Sequence, residues 1–485
     1  MGKRYFFCGI GGSGMLPLAL IVQARGGTVE GSDRSLDAGR TAKKFEFLRA
    51  RGIRLFAQDG SGVVDGGQIV VASAAVEETV PDVVSARRVG ATMLTRAQLL
   101  SSLFNESGCA VGVAGTSGKS TTTGMLGWIL SVAGLKPTVM NGGVMKNFIT
   151  EDVPFASAVV GEGAFFVSEV DESDGSIAQF NPKVALLNNI ALDHKSLEEL
   201  RRLFGDFCAR AEVAVLNMDN AEVARLAETL PATKRMSYAV NGPADVTASA
   251  LAPAPGGISF DLFVHARAIG RVELQTPGLY NVSNALAAIA GAMACGVAPE
   301  EAAAALKSFA GIQRRMDMVG SANGIVVIDD FAHNPDKIAA TLAALKTFPG
   351  RVLVMFQPSG FGSLNLTKNE LIATFANGLG AEDVLFMSEP PYFGGTVNRV
   401  VSSAEIVEGV RAGAKQGFAF ADRAACAERI VEMAAPGDRI IVMGARDDTL
   451  SQYAAELLAR VRANAVEALI RGDGEPVRNG DRGAA

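Results

Sequence analysis

Apolar residues along this chain gather in short unbroken runs instead of alternating with polar ones. RYFFCGI, QIVVASA, CAVGVAG, AFFVSEV, VALLNNI, VAVLNM, GIVVIDD, RVLVMF, DVLFMS and DRIIVMG recur from the first residues to the last third. A strand with one wet face alternates. A strand covered on both faces does not, so these runs predict buried parallel strands. Helical spacing follows many of them, the rhythm of βαβ units. The pattern therefore predicts an α/β chain built from doubly wound, Rossmann-like sheets. It breaks in two places. From about Val240 to Leu274 the helical spacing weakens and Pro and Gly accumulate, which predicts an antiparallel excursion. After Glu467 the text EALIRGDGEPVRNGDRGAA is polar and glycine-rich, which predicts a disordered tail over 468–485.

A chain of 485 residues exceeds one compact core, and about three domains fit its length. Boundaries are expected near Phe104–Gly108 and within Phe309–Gly320, where helical stretches give way to new strands. The net charge of −6 offers no concentrated basic face, so nucleic acid is not an expected partner. The five cysteines are widely spaced and form no CxxC pair, against a disulfide framework or a structural zinc site. No apolar stretch is long enough to span a membrane, and the start runs directly into a strand and loop. A reducing, cytoplasmic setting is expected.

Two glycine-rich turns carry candidate chemistry. Gly9, Gly11 and Gly14 follow the first strand and open an apolar helix, with Gly12, Ser13 and Met15 between and after them and Ser32 and Asp33 about 20 residues on. Such a turn lets backbone approach a diphosphate at a helix N-terminus. It reports a diphosphate rather than a particular dinucleotide, and a tight turn that binds nothing is the alternative. The second turn, Gly115-Thr116-Ser117-Gly118-Lys119-Ser120-Thr121, follows another strand. Its backbone N–H groups would wrap phosphates, Lys119 would meet the terminal ones, and Ser120 would offer a hydroxyl to Mg²⁺. The spacing is shorter than the full Walker pattern, with Val113 where a first Gly would stand. Glu169, Asp171, Glu172 and Asp174 end a later strand and offer hard oxygens for Mg²⁺. A solvated acidic turn is the plain alternative there. Asp193 and His194 end the next strand, on the edge where such sheets bind ligands.

In this order, GIGGSGM with GSD, AGTSGKSTTT, EVDESD, NNIALDH, YNVSNALAAIA, RRMD and DDFAHNP resemble the blocks of the Mur ligase family, which builds peptidoglycan precursors by ATP-driven amide formation. The chain is most similar to the branch that acts on UDP-N-acetylmuramate itself. The resemblance implies three domains: a UDP-sugar-binding Rossmann-like domain over 1–106, a P-loop ATPase-like domain over 107–312, and a Rossmann-like acceptor domain over 313–467. It assigns Gly9, Gly11, Gly12, Ser13, Gly14, Met15, Ser32 and Asp33 to the UDP-sugar, and Gly115 to Thr121 to ATP. Lys119 and Ser120 serve the phosphates and Mg²⁺, Glu169 the first Mg²⁺, and His194 a second. Asn281 and Asn284 resemble asparagines near the adenine. Arg315 and Asp330, beside Arg314 and Asp329, look like C-terminal groups that close over ATP, and His333 like a residue near the incoming amine.

The implied reaction activates the sugar carboxylate as an acyl-phosphate, which an amine then attacks. The implied ligands are ATP, Mg²⁺, UDP-N-acetylmuramate, and an amino acid or short peptide, with the chain a monomer or homodimer. The acceptor stays open between L-alanine and the recycled tripeptide L-Ala-γ-D-Glu-meso-diaminopimelate. The chain has Ser117 where the family usually carries His, AHNP where the alanine-adding enzymes have GHHP, and no arginines shortly after FQP, in FQPSGFGSLNLTKNEL. Three rivals leave features unabsorbed. A nicotinamide dehydrogenase leaves Lys119, Glu169 and His194 unexplained. An ATP-driven switch leaves the first turn without a role. A folyl or poly-amino-acid ligase needs no UDP-binding domain of this kind.

Overall fold

The structure, a computed structural model, describes residues 2–73, 76–192, 195–390, 399–445, 447 and 449–471. It divides into two compact units, Met1–Ile312 and Gln313–Ala485.

The first unit holds two sheets. One is formed by β1 (Arg4–Cys8), β2 (Thr28–Ser32), β3 (Arg54–Phe56), β4 (Gln68–Ala72) and β5 (Thr92–Thr95), in the order β3-β2-β1-β4-β5 with every pairing parallel. The chain steps outward from β1 to β3 and then returns to the other side of β1. This reversal opens a crevice at the carboxyl ends of β1 and β4, where open α/β sheets take ligands. The first glycine turn leaves β1 there.

The second sheet comprises β6 (Cys109–Ala114), β7 (Thr138–Met140), β8 (Ala158–Val159), β9 (Phe165–Glu169), β10 (Val184–Leu187), β11 (Val213–Asn217), β12 (Arg235–Ala239), β13 (Val246–Ala254), β14 (Gly257–Val264) and β15 (Arg267–Leu274). Their order is β15-β14-β13-β12-β11-β10-β6-β9-β7-β8. β6 is central, and its side chains are buried on both faces except at Cys109. That explains an apolar run without alternation. β13, β14 and β15 form the expected antiparallel excursion. β14 reads GISFDLFV, and its alternating burial from Phe260 onward is that of a strand with one covered face.

The second unit is a six-stranded sheet of β16 (Asp317–Ala322), β17 (Ile325–Asp330), β18 (Val352–Gln357), β19 (Val384–Ser388), β20 (Gln416–Phe420) and β21 (Arg439–Gly444), in the order β16-β17-β21-β18-β19-β20. Only the β16 edge pairs antiparallel. Apolar clusters cover both faces: Leu385 and Met387 enter one, Val384 and Phe386 the other. The helix Leu450–Arg471 continues past Glu467 into the expected tail; the remainder of that tail, 472–485, lies outside the described residues.

Asp329 at the end of β17 is 1% exposed, and Oδ1 has no hydrogen-bond partner. Burial pushes its carboxyl up to about 6, against the pull of Arg314 and of a bond from Ser451. The folded chain therefore holds this proton over a pH range in which the unfolded chain has lost it. Stability from this group is complete below about pH 4 and lost as pH rises toward 6, on the order of 3 kcal/mol in all. Asp329→Asn is expected to remove that pH dependence, read as the difference in melting temperature between variant and parent from pH 4 to 6.5. Parallel curves would refute it.

Candidate active site

The first glycine turn is built by the backbone around it. Gly9 (φ +82°) turns left-handed as β1 ends, and the N–H groups of Gly9 and Ile10 donate to the Ser32 carbonyl at 2.8 and 2.9 Å. Gly11 N–H donates to Asp33 Oδ2 at 2.8 Å, while Asp33 Oδ1 accepts from Ser35 N at 2.8 Å. The Asp33 carboxylate thus braces the turn. The Ser32 hydroxyl donates to buried Asp82, which also accepts from Gly60 N at 2.9 Å. Gly12 and Ser13 are exposed, and Met15 opens the helix Met15–Ala24.

The second turn links β6 to the helix Lys119–Val132, with positive φ at Gly115 and Gly118. A Cβ on Gly118 would stand 2.5 Å from Asn284 Oδ1 and 2.8 Å from Asn188 Nδ2, so only glycine fits. Asn189 fixes the outer curve: its carbonyl accepts from Thr116 N at 3.2 Å and its Oδ1 from Thr116 Oγ1 and Ser117 N at 2.7 and 2.9 Å. Asn284 accepts from Thr122 Oγ1 at 3.3 Å and donates to Asn281 Oδ1 at 3.2 Å. Both asparagines are buried, and Asn281 also donates to the Pro277 carbonyl. They reach the turn through Gly118 and Thr122. Thr121 is half-buried.

Lys119 Nζ bends back over the turn, donating to Gly115 O at 2.7 Å and pairing with Glu172 Oε2 at 2.9 Å. Ser120 Oγ donates to Glu169 Oε2 at 3.0 Å, and the other Glu169 oxygen accepts from Gly142 N. Asp171 is half-buried, and although burial works against its charge, its carboxyl is held below the usual range by Ser173 and by the charges of Lys119 and Arg96. Asp174 turns away to accept from Ser176 N. Asp193 and His194 lie outside the described residues.

The two turns meet. A cavity of about 420 Å³ is lined by Gly9, Gly12–Met15 and Arg96 from one side and by Lys119, Glu169 and Asp171 from the other, all within the first unit. The helices starting at Gly14 and Gly118 have no side-chain cap, whereas Thr95, Ser196 and Asn220 cap theirs. Uncapped N-termini leave N–H groups and a positive dipole end for an anion. Arg96 adds a full charge. Its stem packs on Gly14, where an added Cβ would meet Arg96 Cδ at 3.0 Å.

Sequence reasoning missed Arg96, 82 residues from Gly14 in the chain. It also missed the roles of Asn188 and Asn189, and the pairing of Glu172 with Lys119. The NNI text beside the acidic block was the available signal for the two asparagines.

In the second unit, Asp330 is buried. It accepts from Met316 N, Phe331 N and Thr341 Oγ1, and burial raises its carboxyl. It ties the RRMD segment to the end of β17. The guanidiniums of Arg314 and Arg315 lie 4.9 and 4.5 Å from the Phe331 ring centre. His333 Nδ1 is 2.8 Å from the Phe331 carbonyl.

The donors fit the expected ligands. Two N-termini and two cations suit phosphate oxygens. Ser120 and Glu169 form a pair of hard oxygens, which suits Mg²⁺, an ion that keeps several waters and shares phosphate ligands. Among the described residues no group of three or more His, Cys, Asp or Glu forms a closed metal site. No described helix is long and apolar enough to cross a membrane.

Three family models match the chain in order: "Mur ligase family, catalytic domain" over residues 4–107, "Mur ligase middle domain" over 113–292, and "Mur ligase, glutamate ligase domain" over 314–446. The UDP-N-acetylmuramate–L-alanine ligase of Anaeromyxobacter dehalogenans is 34% identical over 94% of this chain and 97% of its own. The enzyme of the same name from Chromobacterium violaceum is 35% identical over 91% and 96%. Among solved structures, a UDP-N-acetylmuramate-alanine ligase from Thermotoga maritima superposes with a TM-score of 0.77 at 23% identity, over 95% of this chain and 99% of that one. A murein peptide ligase from Psychrobacter arcticus gives 0.66 at 25% identity over the same shares.

Proposed function

The chain belongs to the Mur ligase family, with its three-domain architecture and ATP-dependent ligase activity, and from that premise we propose that it joins the carboxylate of UDP-N-acetylmuramate to the amino group of L-alanine. The observation that carries this reading is the shared cavity: two turns of anion-binding design open onto one space. One turn takes the sugar nucleotide's diphosphate and the other the triphosphate. The curated relatives favour L-alanine over the tripeptide, since those named here are L-alanine ligases. The reaction belongs in the cytoplasm, where ATP is supplied.

In this reading the donor carboxylate attacks the γ-phosphorus of ATP, giving an acyl-phosphate and ADP. The amine then attacks the acyl carbon and phosphate leaves. Two anions must approach, so the task of the chain is to neutralise and align charge. Lys119 swings from Glu172 to the terminal phosphates. Gly118 to Thr121 give backbone N–H groups, and Asn281 and Asn284 hold the turn beside the nucleotide. Ser120, Glu169 and His194 would hold Mg²⁺, which supplies Lewis-acid charge at the transferring phosphoryl group. Gly9 to Met15, Ser32 and Asp33 shape the donor's seat. In the second unit Arg315 is assigned to ATP, Asp330 holds its segment in place, and His333 is assigned to the amine.

Arg96 is assigned to the donor diphosphate. Arg96→Met is expected to raise the donor KM roughly 10- to 100-fold, the worth of a charge-assisted contact, with the ATP KM unchanged. A raised ATP KM with an unchanged donor KM would reverse the assignment of the two turns.

The function is tested by phosphate release with ATP, Mg²⁺ and UDP-N-acetylmuramate, offering L-alanine and the tripeptide separately. L-alanine should stimulate release and yield UDP-N-acetylmuramoyl-L-alanine. Stimulation by the tripeptide alone would move the chain to the peptide-recycling reaction, and by neither would overturn both.

A further inference from the structure

The sheet of the second unit reverses strand order at β18 and β21. The chain runs β17, β18, β19, β20 and then returns to place β21 between β17 and β18. Ligands bind beyond the carboxyl ends of such strands. Gln357 ends β18, and Asp447 follows β21. Arg423 opens the helix Arg423–Met433 just after β20, yet its side chain reaches this reversal.

The contacts there fix the Arg423 guanidinium. Nη1 donates to Asp447 Oδ2 at 3.2 Å and Nη2 to Thr449 Oγ1 at 2.8 Å, with the fork 5.6 Å from the centre of the Tyr453 ring. Asp447 is itself locked. Oδ2 also accepts from Gln357 Nε2 at 2.9 Å, and Oδ1 accepts from Thr449 N and Oγ1 at 2.9 and 2.5 Å. Burial works against its charge, but the Thr449 hydroxyl and amide, Gln357 and Arg423 hold the carboxyl below its ordinary value. Asp447 is a saturated anion whose remaining effect is to orient Arg423. The Arg423 side chain keeps 32% exposure, and these two contacts use only part of its fork.

A second observation marks the same edge as incomplete. Ser388 ends β19, and the β18–β19 register runs to Phe356 opposite Met387, so Gln357 and Ser388 lie side by side one step further on. Leu353, Met355, Val384 and Phe386 share the cluster of Tyr453, and alternation puts Gln357 and Ser388 on that face. Ser388 is 1% exposed, and its hydroxyl has no hydrogen-bond partner; nor does the hydroxyl of Tyr453, 5% exposed. Buried hydroxyls normally have partners. An oriented cation against the Tyr453 ring, at a strand edge that also carries the unpartnered Ser388 hydroxyl, suits a small anion that accepts several hydrogen bonds.

We propose that Arg423, oriented by Asp447, anchors the carboxylate of the acceptor amino acid, with the Ser388 hydroxyl as a further donor. This rests on the reading that the acceptor is an amino acid. It also supplies an arginine where the segment FQPSGFGSLNLTKNEL has none.

The test compares L-alanine with L-alaninamide, which keeps the amine and lacks the carboxylate, on the full-length protein at saturating ATP, Mg²⁺ and donor. The parent should prefer L-alanine strongly. Arg423→Gln should raise the L-alanine KM by roughly 10- to 100-fold while the L-alaninamide rate and the donor and ATP KM stay unchanged. Arg423→Lys, which keeps the charge without the fork, should fall between. Asp447→Asn should raise the L-alanine KM at an unchanged amide rate. An unchanged L-alanine KM in Arg423→Gln, or equal losses with both amines, overturns the assignment. If the parent accepts another amine in place of L-alanine, the acceptor reading fails separately. That amine and its carboxamide then decide Arg423 by the same criterion.

Discussion

Lys119→Ala should lower ATP-dependent product formation by on the order of 10³-fold, the loss expected when a preorganised charge leaves a developing anion. The loss has two sources. The cation is gone, and Glu172, whose side chain is 5% exposed, is left buried without its partner beside the incoming phosphates. The double variant Lys119→Ala, Glu172→Gln should therefore recover part of the ATP affinity lost in the single one. Calorimetric titration would read both, and the donor should bind the single variant as it binds the parent, since its proposed seat is the other turn. Undiminished turnover in Lys119→Ala would remove the second turn from the chemistry.

All ten of the apolar runs read as strands contain strands, because a strand buried on both faces must be apolar throughout, and that leaves a mark in any window of text. Most of the strands that went unread are short or half-wet; β2 is buried apart from Thr28, but its text TVEGS carries Glu30, Gly31 and Ser32 in place of an apolar run. Ala158–Val159 and Thr138–Met140 contribute two and three residues at one edge of the second sheet. Thr92–Thr95 carries exposed threonines at both ends. Their place is set by what they pair with, which no local pattern records. The site divides in the same way. The glycine turns were legible because positive φ and close approach demand glycine at fixed spacing. Arg96 was not, since only the path of β5 brings it to Gly14. The partnership of Lys119 with Glu172 rather than with its acidic neighbours is likewise set by the fold.

Glu169→Gln should lower kcat/KM by on the order of 10²-fold or more and raise the Mg²⁺ concentration for half-maximal activity. The carboxylate accepts from the Ser120 hydroxyl with one oxygen and from Gly142 N with the other. An amide of the same shape sets its own N–H₂ against one of those donors, and it removes the negative charge a divalent ion needs. Raising Mg²⁺ should restore part of the rate. Identical Mg²⁺ dependence in parent and variant would show that this carboxylate holds no metal.

Under the proposed function both anion seats lie in Met1–Ile312, which has a consequence for inhibition. A single molecule bearing a uridine diphosphate at one end and a triphosphate mimic at the other would find its second seat already within reach. Once the first end docks, the second is held at a local concentration in the millimolar range for a short linker, about what flexible tethers give. The spacer is the variable to optimise, because a tether too short to span the cavity forfeits the whole gain.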